Sequence, residues 1–389
     1  MINPNSKTKS YSVHLNSISI ALLVSMNFIA SMLRISGGIF IISLSIIAIQ
    51  FYSRKGISIS LKSILMILYI LIIFLFSFLI NDNNYYAIDS ILKFFIFGII
   101  PIYLSNCDFD EILVLKLILV IGFISLPFLT TRNYHDIASE YKMGLSYAIL
   151  PIFFSAIILA SEKYLYKIIS WVVIIACVII LIDIGSRGAV VSLFCFISVF
   201  FFSKLIKREF LKYASLLLFT GLFFVLIENI WSVLSWLQFS LMKYDMSIYA
   251  LDKTILYYGQ DKLLNFRDYL WVSAIDGIKD SFLIGNGIGS FQLIHGTYVH
   301  NIFLQSIWEG GLLLFIPVVA VFFISLMTIL HNSFSEKNIF LIYLLSLSFF
   351  SLLFSSMFWM NQNLWLLIGI VLNNYSKFPN SHTLKIGEI

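Results

Sequence analysis

Charge is scarce in this chain: Asp, Glu, Lys and Arg make up 12% of its 389 residues, against 60% hydrophobic. A water-soluble globule cannot hide that much apolar surface, so the composition excludes one and leaves an all-α polytopic membrane protein. Cysteine is almost missing. Cys107, Cys177 and Cys195 form no CxxC pair, which excludes a disulfide framework, and the last two fill space inside apolar runs. His, Cys, Asp and Glu nowhere cluster at metal-ligand spacing, so neither a metal nor another cofactor is expected, and no nucleic-acid partner either. No small-residue cleavage site follows the first apolar run, which therefore reads as a retained helix rather than a removed signal peptide. A fixed-period repeat is also lacking.

What is present is apolar sequence in lengths that fit a bilayer. A span takes roughly 17–25 mostly apolar residues. Candidates at 16–33, 35–52, 62–80, 88–105, 111–129, 143–161, 166–184, 188–203, 211–228, 301–330, 338–356 and 359–374 give about twelve. Lys and Arg crowd alternate connections: Lys7 and Lys9; Arg54, Lys55 and Lys62; Lys163 and Lys167; Lys204, Lys207, Arg208 and Lys212; Lys337; Lys377 and Lys385. The positive-inside rule makes these cytoplasmic, with both termini inside. Three parts follow: helices 1–9 in 1–228, an outer loop in 229–300, and helices 10–12 with a cytoplasmic tail in 301–389.

A loop of some 70 residues in such a protein reads as functional. In RDYLWVSAIDGIKDSF, the residues Leu270, Trp271, Ala274, Ile275 and Ile278 make one apolar stripe, with Asp268, Asp276 and Lys279 away from it. This predicts an amphipathic helix lying on the membrane or on the bundle. GNGIGSF follows; without a preceding strand it is a tight turn rather than a dinucleotide fingerprint. Asp108-Phe109-Asp110-Glu111 has the look of a metal-holding DxD element. Asp108 with Glu111 three residues on, at the start of a span, instead reads as a capping box.

Arg187, in DIGSRG, falls on the outer side, where basic residues are disfavoured, and its flanking glycines Gly185 and Gly188 permit close approach of a ligand. Arg132, in TTRNYHD, is a similar candidate for touching substrate; Arg34 reads as an interface anchor. His300 opens the tenth span from outside, ahead of a polar stripe of Asn301, Gln305 and Glu309 at i, i+4, i+8. Polar groups at that depth are costly against lipid, so the stripe faces the bundle or a wet cavity.

The run from Arg267 to Gly311, R-x-x-x-W…I-x-x-S-F-L-I-G-N-G-I-G-S-F…V-H-N-x-F-L-x-x-x-W-E-G-G, resembles the C-terminal half of the O-antigen polymerase and ligase superfamily. D-I-G-S-R-G-A-V-V-S, 183–192, resembles the same family's Ser-Arg element. The resemblance implies a GT-C-like fold and inverting, metal-independent glycosyl transfer from undecaprenyl diphosphate at the periplasmic face of a bacterial inner membrane. It implies His300 as the catalytic histidine, and Arg187 and Arg267 as the arginines that hold substrate, with Asn301 beside them and a chain-length regulator as partner. Wzy-type polymerases join two lipid-linked glycans, whereas WaaL-type ligases move the glycan onto lipid A–core. Polymerase is the expectation, with ligase the alternative. A lipid-linked oligosaccharide flippase is the rival outside the class, but transporters usually carry their charges near the midplane and show repeated halves.

Overall fold

The computed structural model describes residues 4–33, 38–52, 59–80, 85–130, 139–162, 164–184, 186–206, 211, 214, 230–243, 251–252, 255–256, 267–331, 335–355 and 357–374. Regular structure among them is helical, with no strand. Five helices are long and apolar enough to cross a bilayer: Leu61–Ile80, Tyr85–Leu104, Tyr164–Ile184, Arg187–Leu205 and Ile302–His331. The chain is a multi-pass helical membrane protein.

These five coincide with expected spans, and the helix Glu111–Thr130 covers the expected 111–129, but several other apolar runs are broken or short. The first is bent by 61° between Tyr11–Val24 and Met26–Met32. At the break the Ser25 hydroxyl donates to the Ala21 carbonyl at 2.6 Å, the kind of back-bonding that bends helices. Counting that pair as one span makes six among the described residues, short of twelve. The run at 143–161 is two helices, Ser139–Ala148 and Leu150–Leu159, and Pro151, which has no N–H to give, stands in the first turn of the second. The expected ninth span, 211–228, lies outside the described residues apart from Leu211 and Ala214.

The buried interior is strongly aromatic. Phe74, Phe94, Phe358, Trp359 and Trp365 pack together, with Trp359 4.7 Å from Phe74 and 5.8 Å from Trp365 between ring centroids. A second, smaller core of Leu270, Ala274, Ile278, Phe291, Val299 and Trp308 fastens the Arg267–Ile278 helix to the start of Ile302–His331. The amphipathic helix therefore rests on the bundle. Its stripe is narrower than the sequence suggests, since Ile275 is half exposed. The cap before Glu111 also differs: Asp110, not Asp108, accepts the Leu113 N–H at 2.8 Å, because the cap must lie three residues before the donor it serves.

The glycine-rich turn is built into the long helix. Gly285, Gly287 and Gly289 have φ of 84°, 89° and 77°, a region that disfavours side chains. The helix Ile302–His331 breaks at Gly311, with φ 58° and ψ −152°. There the Trp308 carbonyl accepts from the Asn286 N–H at 2.6 Å, and the Leu312 N–H donates to the Phe282 carbonyl at 3.1 Å. One helical i→i−4 bond has thus been exchanged for two bonds to the turn. A Cβ on Gly311 would stand 2.3 Å from the Leu283 oxygen. Gly311→Ala is accordingly expected to cost about 1–3 kcal/mol or more, read as a lowered Tm and a reduced folded yield in detergent. An unchanged Tm would mean that this junction relaxes freely.

Candidate active site

His300 lies just ahead of the long helix and is the single non-glycine residue with positive φ, 58°, among the described residues. Its neighbours impose that conformation. Val299 is fully buried and its carbonyl accepts the Trp271 indole N–H at 3.0 Å. On the other side, the Asn301 side-chain oxygen caps the helix, accepting from Phe303 and Leu304 N–H at 3.0 and 3.2 Å. A residue held between two pinned neighbours has no room to relax, which is how a strained backbone persists. Asn301 thus spends its side-chain oxygen on the helix.

The imidazole lies 4.1 Å from the Tyr298 ring, and its Nδ1 is buried with no hydrogen-bond partner among the described residues. Burial, with the nearby Arg267 guanidinium second, pushes its pKa down to about 4. The ring is therefore neutral near pH 7 and free to accept a proton. Arg267 opens the helix Arg267–Ile278, which the core around Trp308 fixes against the bundle. Two residues the sequence expected to cooperate, one in the loop and one at the span, are thus within electrostatic reach of each other.

Arg187 is the first residue of Arg187–Leu205, half-buried and already engaged within the protein. The Ser192 hydroxyl holds this end in place, 2.9 Å from the Gly188 carbonyl and 3.0 Å from that of Phe350. Phe350 ends a π-helical turn, Ser346–Phe350. Gly188 is needed where it stands, because a Cβ there would be 2.0 Å from the Tyr147 hydroxyl and 3.1 Å from Phe354. The charge of Arg267 also acts on Tyr147, as does Tyr298. Tyr147 therefore connects the start of the Arg187 helix to the pair formed by Arg267 and His300. No motif marks it in the sequence, where it sits in an apolar run, SYAILP. Arg132 lies outside the described residues.

The polar stripe faces inward. Gln305 and Glu309 are both buried, and the Gln305 amide donates to the Glu309 carboxylate at 3.0 Å. The Trp359 indole N–H donates to its other oxygen at 2.7 Å. One carboxylate so joins the long helix to Trp359 in the short turn Phe358–Met360.

Compared with curated proteins, the chain finds no match. Residues 171–319, which hold Arg187, Arg267 and His300, match the family model Wzy_C, described as O-Antigen ligase, so this segment is similar to the O-antigen polymerase and ligase superfamily.

Proposed function

We propose that the chain is an O-antigen polymerase of the inverting, metal-independent kind, acting at the periplasmic face of a bacterial inner membrane. The observation that carries this reading is that Arg267 lies within electrostatic reach of His300, whose buried Nδ1 has no partner among the described residues and whose backbone is held in a strained form. In this reading residues 229–300 form the periplasmic cap of a GT-C-like bundle of about twelve spans. The donor and acceptor are glycans on undecaprenyl diphosphate.

An acceptor sugar hydroxyl attacks the anomeric carbon from the face opposite the diphosphate, and its proton passes to the neutral imidazole of His300. The new C–O bond forms as the bond to the diphosphate breaks, and the bonding pair leaves on the diphosphate oxygen. The configuration inverts. Arg187 and Arg267 take up the developing charge; a guanidinium suits this because it is permanently charged and grips phosphate oxygens through two parallel N–H groups. Arg132 and Asn301 are further substrate contacts in this scheme, and a chain-length regulator is the partner.

Purified protein in lipid, given two undecaprenyl-diphosphate-linked repeat units and no ion gradient, is expected to yield a glycan two units long and free undecaprenyl diphosphate. Movement of the lipid-linked glycan without a new glycosidic bond would instead establish a flippase. The description of the matched family favours the ligase as the second reading. Lipopolysaccharide from cells lacking the gene separates the two: core capped by a single repeat unit marks a lost polymerase, and bare core marks a lost ligase.

A further inference from the structure

The helix Arg187–Leu205 begins without a side-chain cap, because the hydroxyl of its N-cap residue Ser186 bonds none of the first-turn N–H groups. Such an end presents backbone donors and the positive pole of the helix, which together favour an anion. By itself that is a common feature. Here a second observation joins it. The Tyr147 hydroxyl is sealed from solvent, has no hydrogen-bond partner among the described residues, and points at this same helix end, 2.0 Å from where a Gly188 Cβ would be. Ser355 lies beside it, at no geometry that makes a hydrogen bond. Buried hydroxyls are almost always bonded, so one left over at an uncapped helix end calls for an acceptor supplied from outside the chain.

The geometry points to Tyr147 as a further substrate contact: its hydroxyl donates to an oxygen of the lipid diphosphate seated at the start of the Arg187 helix, between Arg187 and Arg267. This rests on the glycosyltransferase reading above. The surroundings select an anion rather than a neutral sugar oxygen, since the helix pole and both guanidiniums carry positive charge and Arg267 acts directly on Tyr147. Tyr147 adds what the arginines lack, a single short donor fixed in direction by a ring packed between helices. It also lies outside residues 171–319, so the family match assigns it nothing.

Tyr147→Phe keeps the ring and removes only the oxygen. Binding of undecaprenyl diphosphate to the full-length protein in nanodiscs is expected to weaken about tenfold, the loss for one hydrogen bond to a charged oxygen. Binding of undecaprenol, which has the same tail and no phosphate, is expected to stay unchanged, and the Tm to hold or rise. A lowered Tm would mean that the hydroxyl is bonded inside the protein and would overturn the assignment. Unchanged diphosphate affinity in Tyr147→Phe, with clear weakening in Arg187→Ala and Arg267→Ala, would overturn Tyr147 and leave the glycosyltransferase reading intact. Unchanged affinity in all three variants would overturn both.

Discussion

His300→Ala is expected to lower the rate of polymer formation by about 10²–10⁴-fold at matched protein level, the usual contribution of a positioned general base. The measurement is the initial rate of purified variant and parent on the same lipid-linked glycan. A full rate in the variant would remove His300 as the base. The pH profile carries a sharper version. On the proposed mechanism the working form is the neutral imidazole, so activity is expected to fall as pH drops through its pKa. In the free protein that pKa is held near 4 by burial and by Arg267, and the acid limb of kcat/KM, which reports the free enzyme, should lie there. Donor binding brings two phosphate charges against Arg267, cancels part of its effect and raises the pKa. The acid limb of kcat should therefore lie at higher pH than that of kcat/KM. Arg267→Gln removes one of the two causes of the depression, so in that variant the acid limb of kcat/KM should move upward. A limb that stays in place would mean that Arg267 does not govern His300.

Arg187→Lys is expected to cost about 10²-fold in kcat although it conserves charge. A lysine ammonium is a compact point charge and cannot set two parallel N–H groups on neighbouring phosphate oxygens. On the proposed mechanism it would also leave the first turn of the Arg187 helix, which Ser192 and Gly188 hold in place, without the fork that meets the diphosphate. Thermal stability should change little, since Arg187 is half-buried at a helix end. Rate measurement on saturating donor, alongside a melting curve, tests both statements. A lysine variant with parental kcat would show that charge alone suffices and that no fork is used.

The sequence announced the helices well and their interruptions poorly. Apolar length suffices to find Leu61–Ile80 or Tyr164–Ile184, because each needs only its own residues. The bend at Ser25 and the break at Ile149 depend on single residues, a hydroxyl that bonds the Ala21 carbonyl and a proline that has no N–H, which hydropathy averages away. Gly311 shows the same limit: two adjacent glycines in WEGG are visible, but the turn that displaces a helical bond there comes from residues 282–286. At the proposed site, Arg187, Arg267 and His300 were singled out because a family motif surrounds each. Tyr147 was not, since its meaning comes from Gly188 and Arg267, 41 and 120 residues further along the chain. Glu309 was visible as a polar residue in an apolar run, but its partner Trp359 only folding could supply.

The exchange of backbone bonds around Gly311 limits how such proteins can be recombined. Neither the Phe282–Asn286 stretch nor the Trp308–Leu312 stretch closes its own peptide groups; each supplies the other. A chimaera that imports a foreign loop ending before His300 would bring a new first half to an old second half and strand a donor and an acceptor in apolar surroundings. Swaps meant to change sugar preference should instead carry both stretches together, from Arg267 through Leu312, as one inherited cassette.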